Sequence, residues 1–147
     1  RASVIGLSGT AGAGDLLRAI YESLGFASRD CYESVGGTPA EIRLAGGAAR
    51  SATMRGILAA ATDAPVRLVK REEVGAAGAA MVAALSLGIL PDIDTACARW
   101  VTPLLAEAEA PDPALVEHYD RLFPQYRASY RALRPIWHAL DDLRTEG

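Results

Sequence analysis

Lysine is almost missing from this 147-residue chain; Lys70 is the only one. With a net charge of −3 and no basic stripe, binding to nucleic acid has no electrostatic footing. Cysteine is as scarce. Cys31 and Cys97 lie far apart, without CxxC spacing or a His/Cys cluster. That excludes a disulfide framework and a zinc-type site. The two are read as buried free thiols in a reducing compartment, the cytoplasm. His118 and His138 are isolated, with no second ligand at metal spacing, so no metal residues are assigned. No Ser/His/Asp set and no carboxylate pair stands out, so no catalytic residue is assigned either. Long apolar runs are absent. The uncharged stretch from Val74 to Leu90 is mostly alanine and glycine and falls short of the ~20 strongly apolar residues of a membrane span. It is read as a buried helix, and no membrane contact is expected. A secretory signal pattern is lacking. The chain opens at Arg1 on the edge of a strand pattern, the expectation for a fragment or processed product.

What is present is a hydrophobic half, enough to build the core of one domain over residues 1–147. Ala2–Ser8 is a short apolar run, hence a strand. Leu16, Ile20, Leu24, Ala27, Cys31 and Val35 recur every three or four residues, predicting a helix over Asp15–Val35 that Gly36 and Gly37 end. Glu41–Ala45 is a second strand. Ser51 is a candidate N-cap for a helix through Thr62, stopped by Pro65. Val66–Val69 is a third strand. Val74–Leu87 is a small-residue helix, and Asp92 starts another through Trp100. The stretch AEAEAPDPA reads as a polar linker. The last segment is helical, interrupted near Pro124 and Pro135. Its stripe Leu115, Tyr119, Leu122, Tyr126, Tyr130, Leu133, Trp137, Leu140 is a packing face. The alternation of strand and helix predicts an α/β fold with the three strands parallel.

Three glycine clusters punctuate this pattern. In GLSGTAGAGD, Gly9 and Gly14 have phosphate-loop spacing, but Asp15 and Leu16 stand where lysine and a hydroxyl are needed. Neither GxGxxG nor GxSxG is present. A plain turn, with Asp15 facing the positive end of a helix dipole, is the better account. In EIRLAGGAARS, Gly46 and Gly47 follow a strand directly and a helix opens at Ser51. Ligands of open α/β sheets bind at strand carboxyl ends, and free amides at helix starts attract anions. Arg50 adds a cation. These residues suit a nucleotide seat and an empty tight turn equally. In EEVGAAGAA, the Gly75, Gly78, Ala79 and Ala80 face is read as a close-packing surface.

Taken in order, these clusters resemble the C-terminal domain of the FGGY family of carbohydrate kinases. Ala2, Val4, Gly6 and Leu7, then Asp15, Leu16, Ala19, Ile20, Tyr21 and Glu22, fill the opening pattern of that domain with a gap of matching length. FASRDCYE, RLAGGAARS and EEVGAAGAAMVAALSLG are similar to its later motifs, and the likeness weakens after Pro103. The resemblance implies a ribonuclease-H-like (actin-like ATPase) domain, incomplete at its N-terminal side, with a helical extension over residues 103–147. It implies a C-terminal ATP-binding portion of an enzyme that moves the γ-phosphoryl of Mg-ATP (cofactors ATP and Mg2+) to a hydroxyl of a sugar or polyol, of pentulose or erythritol type.

By the same resemblance, Gly46, Gly47 and Ala48 lie against the nucleoside and its α-phosphate, and Ser51 contacts the adenine side. Arg50 sits where the family varies, and the helix bearing Gly78, Ala79 and Ala80 packs behind the pocket. Gly56 stands where glutamine is frequent, Ala60 where aspartate is, and Ala48 replaces a common third glycine. The general base, the phosphate-gripping hairpin and the sugar-binding domain all precede Arg1 in the family. The chain alone is therefore expected to be inactive and to associate through its 2–8 strand. The alternative is a non-catalytic module that binds a nucleotide or a partner protein.

Overall fold

In the computed structural model, which describes residues 3–145, the most deeply buried segment is an alanine-rich helix, α2 (Ala52–Thr62). The Ser51 hydroxyl caps it as predicted, accepting from the Met54 amide at 3.2 Å. Asp63 closes it in the left-handed region, at φ 48°. Before it lie α1 (Ala13–Val35), β1 (Ile42–Leu44) and a 3₁₀ turn at Ala48–Arg50. After it come β2 (Val66–Val69), α3 (Val74–Ser86), α4 (Ile93–Trp100), a 3₁₀ turn at Thr102–Leu104, β3 (Leu105–Glu109) and α5 (Pro113–Thr145). The sheet order is β1-β2-β3. Ile42 stands opposite Val66 in the parallel pair, and Glu109 opposite the same Val66 in the antiparallel pair.

The chain is thus α/β with a mixed sheet, and α2 is its middle layer. One side of α2 packs on the sheet through Leu58 and Ala59 against Ile42, Ala64 and Val66. The other side packs on α1 and α5 through Ile57, Ala60 and Ala61 against Phe26, Tyr119 and Phe123. The small side chains of Ala59, Ala60 and Ala61, all fully buried, let layers on both sides come close to α2 around the larger Ile57 and Leu58. Gly25 of α1 shows how tight the fit is. A Cβ built there would meet the Ala61 Cβ at 3.1 Å and the Ile57 Cγ2 at 3.2 Å. A separate cluster of Ala84, Leu90 and Ala96, with Met81, Leu85 and Trp100 against it, joins α3 to α4.

Aromatic rings hold α5 to α1. Phe26 and Tyr119 meet edge to face with centroids 5.2 Å apart. The Tyr119 hydroxyl donates to Glu22 Oε1 at 2.9 Å, and the same oxygen accepts from Arg18 Nε at 2.8 Å. Burial, reinforced by the Glu22 carboxylate, pushes the Tyr119 hydroxyl from the usual 10.0 up to about 12.

Several expectations change. Of the predicted first strand, Ala2 lies outside the described residues and Ser3–Ser8 form no strand. Gly6 turns the backbone to φ +76° there, and an extended run without a pairing neighbour has no ladder to hold it. The strand proposed for self-association is therefore not formed. AEAEAPDPA is not a linker throughout, because its first half belongs to β3. Alanine and glutamate are poor strand formers, and the free edge of β2 supplies the ladder instead. This also makes the sheet mixed, not parallel. Pro124 and Pro135 lie inside an unbroken α5. Each removes one backbone bond, and the buried Tyr119 and Phe123 with half-buried Tyr126 carry the helix past Pro124. The stripe that marks α1 as a helix is not the face it buries: Leu24 is 49% and Val35 83% exposed, while Gly25 and Phe26 are buried. The buried face is offset by one residue, about 100° around the helix. Cys31 falls on the exposed side and Cys97 is half-buried, so the free thiols are not core residues. Nor is α3 a buried helix; Ala84 alone of its residues is buried. Its contacts run through Met81, Ala84 and Leu85 to α4, while nothing lies within 4 Å of a Cβ built at Gly75 or Gly78. No described helix is long and apolar enough to cross a membrane.

Gly25→Leu should lower unfolding free energy by about 1–3 kcal/mol through overpacking, whereas Gly78→Ala should raise it by about 0.5–1 kcal/mol through helix propensity; urea unfolding measures both. Tyr119→Phe should cost about 1 kcal/mol near neutral pH. Because folding raises the Tyr119 pKa, that contribution is complete below pH 10 and disappears as pH climbs through about 12. The gap in urea midpoint between the two proteins should therefore narrow across that window.

Candidate functional site

The five residues singled out from sequence sit on one continuous turn between β1 and α2. Gly46 leaves β1 at φ +80°, a conformation in which a side chain is strained. Gly47 adopts a helical conformation and starts the 3₁₀ turn. The Arg50 amide donates to the Gly47 carbonyl at 3.2 Å, and the Ser51 amide to the Ala48 carbonyl at 3.3 Å. Gly46, Gly47, Ala48 and Arg50 are exposed, and Ser51 is half-buried. Nothing lies within 4 Å of a Cβ built at Gly46 or Gly47. The outer face of the turn is therefore an open step on the surface, with the capped start of α2 beside it. A flat or anionic group can approach the backbone there.

Ala49 is the exception within the turn, being fully buried. Its carbonyl accepts from Arg55 Nη1 at 2.6 Å. Arg55 Nε in turn donates to Glu109 Oε1 at 2.7 Å and Oε2 at 2.9 Å. The turn is thus open outward and fastened inward. Reading by sequence missed Arg55 and Glu109. A charged residue one turn into an alanine-rich helix, and an alternating AEAE after it in the chain, were the available signals.

The other predicted neighbours are elsewhere. Ala60, where the resemblance leads one to expect an aspartate, is a fully buried core residue beside Phe26 and Tyr119. It faces α1 and α5, so alanine there serves packing. Gly56 is exposed, with open space at its Cβ position. Gly78, Ala79 and Ala80 are exposed and do not pack as a backing surface. The GLSGTAGAGD segment builds a helix start: the Gly12 amide donates to Asp15 Oδ2 at 2.9 Å, which commits that carboxylate to capping. A hollow of about 380 Å³ beside it is lined by Val4, Ile5, Leu7 and Leu16 together with Ser8, Thr10 and Asp15, a surface of mixed polarity that offers a carboxylate and no cation to a phosphate. A second hollow, of about 160 Å³, lies near Arg29, Tyr32, Asp63 and Asp120. Its cation is already engaged, since Arg29 pairs with Asp120 at 2.7 Å and Glu33 at 3.1 Å.

Comparison with known proteins gives the family of the chain. Residues 1–87 match the family model described as the FGGY family of carbohydrate kinases, C-terminal domain. Over 140 residues the chain is 51% identical to erythritol kinase of Brucella abortus, covering 95% of this chain and 27% of that protein. It is 33% identical to glycerol kinase 1 of Thermotoga maritima over 98 residues, 64% of this chain and 20% of the relative. The crystal structure of xylulose kinase from Rhodospirillum rubrum superposes with a TM-score of 0.75 at 34% identity, over 92% of this chain and 28% of that one. The chain thus spans little more than a quarter of the length of the erythritol kinase it matches. It belongs to the FGGY family of carbohydrate kinases, within the C-terminal domain of that family.

Proposed function

We propose that this chain is the ATP-binding portion of a carbohydrate kinase that moves the γ-phosphoryl group of ATP to a hydroxyl of a sugar or polyol, of pentulose or erythritol type. The observation that carries the reading is the open turn at Gly46 and Gly47, whose outer face is bare backbone beside the start of α2. Amides and a helix start are the chemistry that receives an α-phosphate. Gly46, Gly47 and Ala48 would line the nucleoside and this phosphate, Ser51 would face the adenine, and exposed Arg50 would lend positive potential. Kinase relatives of erythritol, glycerol and xylulose support the reaction class. The β1-β2-β3 sheet with α2 on it is proposed as part of a ribonuclease-H-like sheet, and residues 103–147 as an extension packed upon it. The sugar or polyol would be held by a second domain, and the cytoplasm, where ATP is available, is the proposed compartment.

Phosphoryl transfer depends on positioning and charge stabilisation. In this reading the chain contributes the first: it holds the adenosine end still. Among the described residues no group of three His, Cys, Asp or Glu side chains is placed to hold a metal ion. These residues do not form a dedicated Mg2+ cage, and Mg2+ would arrive on the phosphates of the nucleotide, where it keeps much of its water.

A non-hydrolysable ATP analogue titrated into the chain should give binding heat. Gly47→Trp should weaken that binding at least about tenfold by filling the open face, while shifting stability by no more than about 0.5 kcal/mol at an exposed site. Absence of heat with the unaltered chain would reject the nucleotide seat and leave a module that engages only a partner protein.

A further inference from the structure

Arg55 lies one turn into α2 with only 15% of its side chain exposed. It joins three pieces of chain: the helix that carries it, the Ala49 carbonyl of the glycine turn six residues before it, and the Glu109 carboxylate at the end of β3, 54 residues after it. A guanidinium suits this junction because its donors diverge in one rigid plane. Its Nε serves Glu109 while Nη1 serves the carbonyl. Both bonds are charge-assisted, the stronger kind. The turn has few other ties. Its own bonds, Arg50 to Gly47 and Ser51 to Ala48, are long at 3.2 and 3.3 Å, and nothing lies within 4 Å of a Cβ built at Gly46 or Gly47. Its one buried residue is Ala49, the residue that Arg55 holds.

We propose that Arg55 is a positioning residue for the nucleotide turn. It fixes the turn from its inner side, with Glu109 orienting the guanidinium, so that the amides of the outer face keep the spacing a phosphate needs. This rests on the reading of the turn as the nucleotide seat. Glu109 is 42% exposed, and ion pairs of that kind add little to global stability. The influence of Arg55 is therefore local, and it reaches a ligand that Arg55 does not touch. It also makes β3 a working element of the site.

The test uses the whole chain, with Arg55→Met, Arg55→Lys and Glu109→Gln. Two quantities are read: amide hydrogen exchange at Arg50, Ser51 and Met54 without ligand, and the dissociation constant for a non-hydrolysable ATP analogue. Arg55→Met should speed exchange at those amides about tenfold and weaken the analogue by a similar factor, because the charge-assisted bonds to the Ala49 carbonyl and to Glu109 are lost. Amides of α1 and α5 should be unchanged. Arg55→Lys, which retains a cation able to reach the carbonyl, should recover at least half of both effects on a logarithmic scale. Glu109→Gln, which keeps one acceptor, should fall between. If Arg55→Met fails to fold, the Lys and Gln variants carry the same comparison. Exchange and affinity within twofold of the unaltered chain in every variant would overturn the proposal. Faster exchange in Arg55→Met with no analogue bound by any of the proteins would uphold the anchoring of the turn and reject the nucleotide seat.

Discussion

The fold depends on one constraint: α2 is covered on both sides, so both of its faces must be small or closely fitted. Ala59, Ala60 and Ala61 are fully buried in succession. Three consecutive positions span about 200° of a helix, so no single stripe explains them. They face the sheet on one side and the α1–α5 pair on the other. Bulk at any of them would push a neighbouring layer away from α2. Gly25 makes the same point from across the interface, since its missing Cβ is the room that Ala61 and Ile57 occupy. The candidate site inherits this rigidity. The Ser51 cap and the Arg55 anchor both belong to α2, so the turn is held by the most deeply packed element of the molecule, where local opening is least favourable.

Charged contacts finish what this packing begins. Between α1 and α5, Arg29 reaches Asp120 at 2.7 Å and lies 4.5 Å above the Phe123 ring. Arg127 reaches Asp30 at 3.1 Å and Glu33 at 3.2 Å. All these partners are partly exposed, and pairs of that kind contribute about 0–1 kcal/mol each. Burying a side chain such as Phe26 is worth about 1.5–3 kcal/mol. The aromatic cluster therefore holds α5, and the ion pairs set how it lies. Arg55, paired with Glu109, differs in its target: it donates to a backbone carbonyl of the candidate site, not to a second helix.

Local signals were readable wherever short-range chemistry decides. Ser51 caps α2, Asp92 caps α4 through the Thr95 amide at 2.7 Å, and Val66–Val69 is a strand with the predicted bounds. These need only a side-chain oxygen near its own backbone or a β-branched run. The failures all involve distant partners. Ser3–Ser8 has strand composition but no neighbour to pair with. Residues 105–109 have poor strand composition but pair with β2. The face buried by α1 is set by where α2 and α5 lie, which no periodicity within α1 reveals. The candidate turn was legible because strand, glycines and cap are contiguous. Its anchor was not, because Arg55 and Glu109 are 54 residues apart in sequence.

An open face and a pinned back are complementary requirements for a seat that must admit a ligand and still hold it in place. Glycine provides the first by leaving nothing above the backbone, and a turn made only of glycine and alanine would then wander. Fixing it by packing side chains over it would close the approach. Fixing it from below avoids that conflict, and it needs a donor long enough to reach a backbone carbonyl from inside the next helix while its charge is balanced. Arg55, balanced by Glu109, meets both conditions in this chain. If the turn seats a nucleotide as proposed, restricting it before the ligand arrives would reduce the ordering that binding must otherwise supply. On this argument β3, the least strand-like segment by composition, matters to the site for the carboxylate at its end.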